Sequence, residues 1–167
     1  MNIAVFCSSS DDIDKKYVES SKKILEEIFS KDNNLVFGTY SKGIMNLAYK
    51  IAKKSNRKVI GITPNKEDFM DLECDEEYVT DSVNGRTDLM IKKADVLLFL
   101  PGGIGTIYEL FTAIEKKRNK EFDKPIYIYN ETGFFDEVLS VLDKIYKEKF
   151  SSIKDSKNYS VIDKPFA

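Results

Sequence analysis

The stretch Pro101-Gly102-Gly103-Ile104-Gly105-Thr106-Ile107-Tyr108-Glu109 holds the residues best suited to chemistry: three glycines, a hydroxyl and a carboxylate in close succession. It follows the apolar run Val96-Leu97-Leu98-Phe99-Leu100. Together they read as a buried strand, a sharp turn and the start of a helix. Pro101 has no N–H and ends the strand pairing. Glycines let the backbone turn and let a ligand come close. The free N–H groups of the following first helical turn suit a phosphate or another anion. The pattern lacks the Gly-Lys-Ser/Thr of a Walker loop, and it does not follow the first strand as a dinucleotide fingerprint does. Thr106-x-x-Glu109 fits a capping box with Thr106 as N-cap, which alone gives Glu109 a structural purpose. In that first turn the helix dipole favours an ionised Glu109.

A second candidate is Arg86, placed just after Gly85 in the first turn of an expected helix from Val83 to Lys93. A cation is disfavoured there unless an anion or a carboxylate sits opposite. The chain has no histidine, so Ser-His-Asp and Cys-His catalysis and histidine-ligated zinc are excluded within it. Cys7 and Cys74 are far apart and form no CxxC pair, so neither a metal site nor a disulfide framework is expected. Any chemistry falls to carboxylates, Arg, Lys, Tyr, hydroxyls and backbone N–H groups.

Positioning such groups takes a frame, and strand-like and helix-like segments alternate along the chain. Ile3 to Cys7 reads as the first strand, ending in Ser8-Ser9-Ser10, and Asp12 or Asp14 can cap the next helix. Leu35-Val36-Phe37 leads through Gly38 to Gly43 into a helix with Ile44, Leu47, Ala48 and Ile51 inward. Lys58 to Thr63 is a third strand; Asn65 to Asp81 reads as a solvated acidic loop. The helix from Val83 should turn Val83, Leu89, Met90 and Ala94 inward. After the glycine turn come a helix from Thr106 to Lys117, a strand at Pro125 to Tyr129, a helix at Phe134 to Phe150 and a short strand at Asn158 to Ile162. The expectation is an α/β fold, a Rossmann-like doubly wound parallel sheet with helices on both faces, as a single domain over residues 1–167. A formal net charge of −2 gives no basic excess for nucleic acid. No apolar run approaches a membrane span, and the N-terminus enters a strand-like run without a basic leader, so a cytoplasmic protein is expected.

The motif resembles the PGGxGTxxE signature of the Lonely Guy (LOG) family, cytokinin riboside 5′-monophosphate phosphoribohydrolases often mislabelled as lysine decarboxylases. Val5 to Ser10 is similar to that family's VFCGSS start, Leu35 to Met45 to its LVYGGGxxGLMG segment, and Val59 to Pro64 to its VIGVIP strand. The resemblance implies a hydrolase that splits the N-glycosidic bond of a nucleoside 5′-monophosphate into free base and ribose 5-phosphate. It implies a homodimer with the site near the subunit interface, and no cofactor. The catalytic pair carries over to Arg86 and Glu109, and the phosphate loop to Gly102, Gly103, Gly105 and Thr106. Ser9, Gly38, Gly43, Met45 and Thr87 fall on the remaining substrate contacts. The chain departs from the family where Thr87 stands for lysine, Tyr108 for glutamate, Thr39 and Tyr40 for two glycines and Asn46 for another. An upstream substrate-binding carboxylate has Glu73, Glu76 and Glu77 as candidates. The alternative reading is a related protein, such as a molybdenum-cofactor carrier, that holds a phosphorylated ligand without cleaving it; a lysine decarboxylase lacks any lysine context for pyridoxal phosphate.

Overall fold

The computed structural model describes residues 1–166. Seven parallel strands form one sheet: β1 Asn2–Phe6, β2 Asn34–Phe37, β3 Val59–Thr63, β4 Glu76–Val79, β5 Val96–Phe99, β6 Ile126–Tyr129 and β7 Ser160–Ile162, in the order β4-β3-β2-β1-β5-β6-β7. The helices are α1 Lys15–Ser30, α2 Gly43–Lys54, α3 Val83–Lys93, α4 Ile104–Arg118 and α5 Asp136–Lys147. Among the described residues no helix is long and apolar enough to cross a membrane.

Alternate strand residues feed two separate cores. Ile3, Val5, Leu35, Phe37 and Leu98 pack with α1 and α2 on one face. Ala4, Phe6, Val36, Leu97 and Phe99 pack with α3, α4 and α5 on the other. Period-two side chains on strands buried from both sides explain the unbroken apolar runs. This is the doubly wound arrangement expected from the alternation. Its strand order reverses at β1, between β2 and β5. In open α/β sheets ligands bind beyond the carboxyl ends of the strands at such a switch point. Phe6 and Phe99, paired in register, stack with ring centroids 4.6 Å apart near the carboxyl ends of β1 and β5.

The acidic segment is more ordered than expected. Lys66–Met70 is a 3-10 turn, and Glu76–Val79 is the edge strand β4, registered Ile60↔Glu76 through Thr63↔Val79. Its alternation is carried by Glu76 and Tyr78, not by apolar residues. Lys58 and Lys93 meet the Glu76 carboxylate, and the Tyr78 hydroxyl donates to it at 2.6 Å. Charges on an edge strand also discourage pairing with another sheet. Val83 is a second correction. It is 49% exposed, and the buried face of α3 is Arg86, Thr87, Met90 and Ile91. Ser82 caps that helix by accepting from Gly85 N–H at 3.0 Å, so Val83 opens the helix on its solvent side.

Candidate active site

The loop after β1 is stapled into the switch point. Ser8 N–H donates to the Pro101 carbonyl and Met45 N–H to the Ser8 carbonyl, both at 3.0 Å. The first strand's loop therefore ties the glycine turn after β5 to the start of α2. Gly43 makes that approach possible: its φ is +64°, and a Cβ there would lie 2.7 Å from Ser8 O and Ser10 N. Its N–H is held by the Asp11 carboxylate at 2.7 Å. Met45 is buried, Ser8 is buried, and Ser9 is exposed at the mouth.

The glycine turn differs from the expected capping box. The α4 helix starts at Ile104, two residues early, with Gly103 as N-cap and no capping side chain. Thr106 is thus inside the first turn, and Glu109 lies too far along to reach back to the cap. Thr106 is 3% exposed and packs under the turn: a Cβ on Gly102 would sit 2.1 Å from its hydroxyl oxygen. Gly103 and Gly105 are different, since a Cβ on either meets nothing within 4 Å. Packing does not demand those two glycines; the space above them is open. The N–H groups of Ile104, Gly105 and Thr106 precede any carbonyl that α4 could offer them, so they face that space unpaired. A dianionic phosphate fits there by charge and by hydrogen bonding.

The contrast yields a test. Gly102→Ala is expected to destabilise the fold by about 1–3 kcal/mol, the usual range for overpacking, read as a fall in the denaturant midpoint. Gly103→Ala is expected to melt like the parent and still to bind inorganic phosphate more weakly.

Arg86 and Glu109 are the two charged side chains that the fold buries here, at 8% and 7% exposure. Neither has a side-chain hydrogen bond or an ion pair within 4.0 Å among the described residues, and Arg86 Nε is fully buried without a partner. Buried polar groups are normally paired. Two unpaired and opposite ones, near enough to feel each other, frame a place for a polar ligand. Burial raises the Glu109 carboxyl to about 7, against the partial pull of the Arg86 charge. Contrary to the expectation from the helix dipole, Glu109 is not held fully ionised, because it lies beyond the first turn of α4 and desolvation dominates. Beneath it sits Cys7, whose thiol is pushed far up by burial and by the Glu109 charge.

On the other side of Arg86, a Cβ on Gly38 would lie 3.6 Å from its Nη1. Its guanidinium carbon is 5.8 Å from the centre of the Tyr40 ring, within cation–π range. Thr87 is not brought to this group: it is 1% exposed, and its hydroxyl donates to the Val83 carbonyl at 3.2 Å within α3. Glu76 is engaged by the lysines of the β4 edge. The acidic residue drawn inward is instead Asp68, which accepts from the hydroxyls of Thr63 at 2.6 Å and Thr39 at 3.2 Å. Nothing in the local spacing marks Asp68 apart from its acidic neighbours, since its partners lie at the end of β3 and on the loop after β2.

Comparison with known sequences shows the family. The family model described as "Possible lysine decarboxylase" matches residues 45–167. The Arabidopsis thaliana protein named cytokinin riboside 5′-monophosphate phosphoribohydrolase LOG3 is 33% identical over 155 residues, covering 90% of this chain and 71% of that protein. This chain belongs to the LOG family. A rice relative (Oryza sativa subsp. japonica), named probable cytokinin riboside 5′-monophosphate phosphoribohydrolase LOGL6, is 32% identical over 155 residues; the match covers 90% of this chain and 61% of that protein. The chain thus spans under two thirds of that relative's length. Among solved structures, the molybdenum cofactor binding protein from the phototrophic bacterium Rippkaea orientalis superposes with a TM-score of 0.67 at 23% identity, covering 86% of this chain and 84% of that one. At that identity the likeness is one of fold.

Tyr108 and Thr39 are two of the positions at which this chain departs from the LOG signature. Tyr108, on the solvent side of α4, donates its hydroxyl to the Asn84 side chain and so links the starts of α3 and α4. Thr39 adopts φ +67°, a conformation unusual for a β-branched residue.

Proposed function

We propose that the protein is a nucleoside 5′-monophosphate phosphoribohydrolase that cleaves AMP or an N6-substituted AMP to free base and ribose 5-phosphate. The observation that carries this reading is the buried, unpaired Arg86 and Glu109 beside an open turn of free N–H groups. The turn at Gly102, Gly103, Gly105 and Thr106 holds the 5′-phosphate through backbone N–H groups, and this anchors the ribose in the crevice. N-glycoside cleavage passes through an oxocarbenium-like state, as glycoside cleavage does. The C1′–N bond breaks with its electron pair going to the base, and a water oxygen bonds to C1′. Glu109, as carboxylate, stabilises the developing positive charge and takes the proton from the water. The departing base nitrogen gains a proton in turn, and a carboxyl near pH 7 can supply it. Arg86 keeps part of the Glu109 population ionised and offers its N–H groups to the substrate hydroxyls. The pairing of functions needs no histidine.

Incubation with a panel of nucleoside monophosphates, followed by chromatography for free base, tests this. Release of adenine from AMP supports it. Tight AMP binding without base release would favour the carrier reading instead.

A homodimer belongs to the same proposal. Ile104 at 91%, Tyr108 at 43% and Val83 at 49% exposure are apolar or aromatic groups at the starts of α3 and α4, beside the site. Light scattering on the eluting protein is expected to give twice the mass of one 19.2 kDa chain. A monomer at working concentration would remove the interface from the account.

A further inference from the structure

The carboxyl ends of β5, β1, β2 and β3 lie side by side, spaced by ~4.8 Å per strand. The phosphate turn follows β5, and Arg86 and Glu109 lie toward β1 and β2. Beyond them, after β2 and β3, is a hollow of about 380 Å³ whose walls include Thr39, Tyr40, Asn65, Glu67, Asp68 and Asp71. A nucleotide laid along this edge with its phosphate at the turn and its ribose at Glu109 extends its base toward that hollow.

Tyr40 is fixed at the threshold. The residue is 47% exposed. The preceding residue, Thr39, is held in a left-handed conformation by the fold, and its hydroxyl is anchored on Asp68 at 3.2 Å. Tyr40 N–H itself meets Met45 Sδ at 3.4 Å. Backbone strain of this kind persists only where the surroundings over-determine it, and it concentrates at ligand sites. The independent observation is Arg86. It is 8% exposed with Nε unpartnered, and its guanidinium lies against the Tyr40 ring. The sugar site and the aromatic ring are therefore contiguous.

We propose that Tyr40 and this acidic hollow form the base-recognition subsite, selecting a planar base with an exocyclic amino group. The base stacks on the Tyr40 ring, and the Glu67 and Asp71 carboxylates, which have no side-chain partner among the described residues, accept from the amine. A base with a keto oxygen at that place faces carboxylates acceptor to acceptor and is rejected. The inference rests on the phosphoribohydrolase reading for where phosphate and ribose sit.

Binding by calorimetry to the Glu109→Gln protein, whose turnover is expected to be about 10³-fold slower, separates the two. AMP is expected to bind at least tenfold more tightly than IMP and than ribose 5-phosphate. Tyr40→Ala is expected to weaken AMP about tenfold or more, the range of one lost base–aromatic stack, with ribose 5-phosphate unchanged; Tyr40→Phe is expected to restore AMP binding. A Glu67→Gln, Asp71→Asn double variant is expected to bring AMP and IMP together. Equal AMP affinity in Tyr40→Ala and its parent, with ribose 5-phosphate still bound, overturns the base subsite and leaves the hydrolase reading standing. Failure of both AMP and ribose 5-phosphate to bind overturns both.

Discussion

Glu109→Gln is expected to lower base release from AMP by about 10³-fold, within the span typical of a lost general acid–base group, and to make the protein more stable at pH 8. The two effects share one cause. Glutamine keeps the shape of the side chain and removes the charge. Its site raises the carboxyl from 4.5 to about 7 because burial penalises the charged form more than Arg86 favours it. Below pH 4.5 the group is protonated in both folded and unfolded chains, so the variant and the parent should melt alike. Between 4.5 and 7 the unfolded chain releases its proton while the folded chain retains it, and folding becomes progressively less favourable. Above 7 the folded protein carries the full burden of a buried carboxylate, about 3 kcal/mol for such a shift. The stability gain of Glu109→Gln should therefore open between pH 4.5 and 7 and level off above, as measured by denaturant melts across that range. A variant that loses activity and gains no stability at pH 8 would show that Glu109 is better solvated than its surroundings indicate.

Arg86→Met is the second large effect. Methionine retains an apolar stem for packing, and no hydrogen bond is lost because the Arg86 side chain makes none among the described residues. The fold should not be weakened. Activity should fall by about 10²–10³-fold, the usual consequence of losing a preorganised charge contact in the transition state. The acid limb of the pH–rate profile is the more specific readout. Arg86 lowers the Glu109 carboxyl, so removing it should move that limb to higher pH than the parent's value near 7. Arg86→Lys should restore the position of the limb, because the charge returns. It should restore less of the rate, because a lysine lacks the planar fork of donors. A rate loss with an unmoved limb would mean that Arg86 serves the substrate alone.

The parts of this site differ in how far local pattern reveals them. Val96 to Leu100 and the glycine turn are legible because apolar runs, proline and glycine act on their immediate neighbours. The doubly wound sheet follows from the alternation of such units. Glu109 was legible only through the resemblance to the LOG signature, since its spacing from Thr106 equally fits a capping box. The helix in fact starts at Ile104 with Gly103 as N-cap and Thr106 packed against Gly102, a fit that the spacing alone does not reveal. The Glu109 protonation state depends on burial by strands and loops distant in sequence. Strand β4 was hidden because its inward side chains are Glu76 and Tyr78, neutralised by lysines from two other segments. Thr39 was legible as a departure from glycine. The partner of its hydroxyl, the Asp68 carboxylate, is visible only once the fold brings the two loops together.

The most direct measurement is the pH dependence of adenine and ribose 5-phosphate formation from AMP by the purified protein, followed together so that their ratio is known. The two products are expected in equal amounts, with kcat/KM rising through an apparent pKa of about 7 and both products falling by about 10³-fold in Glu109→Gln. AMP bound without either product, or product formation that survives Glu109→Gln with the same pH profile, would contradict it.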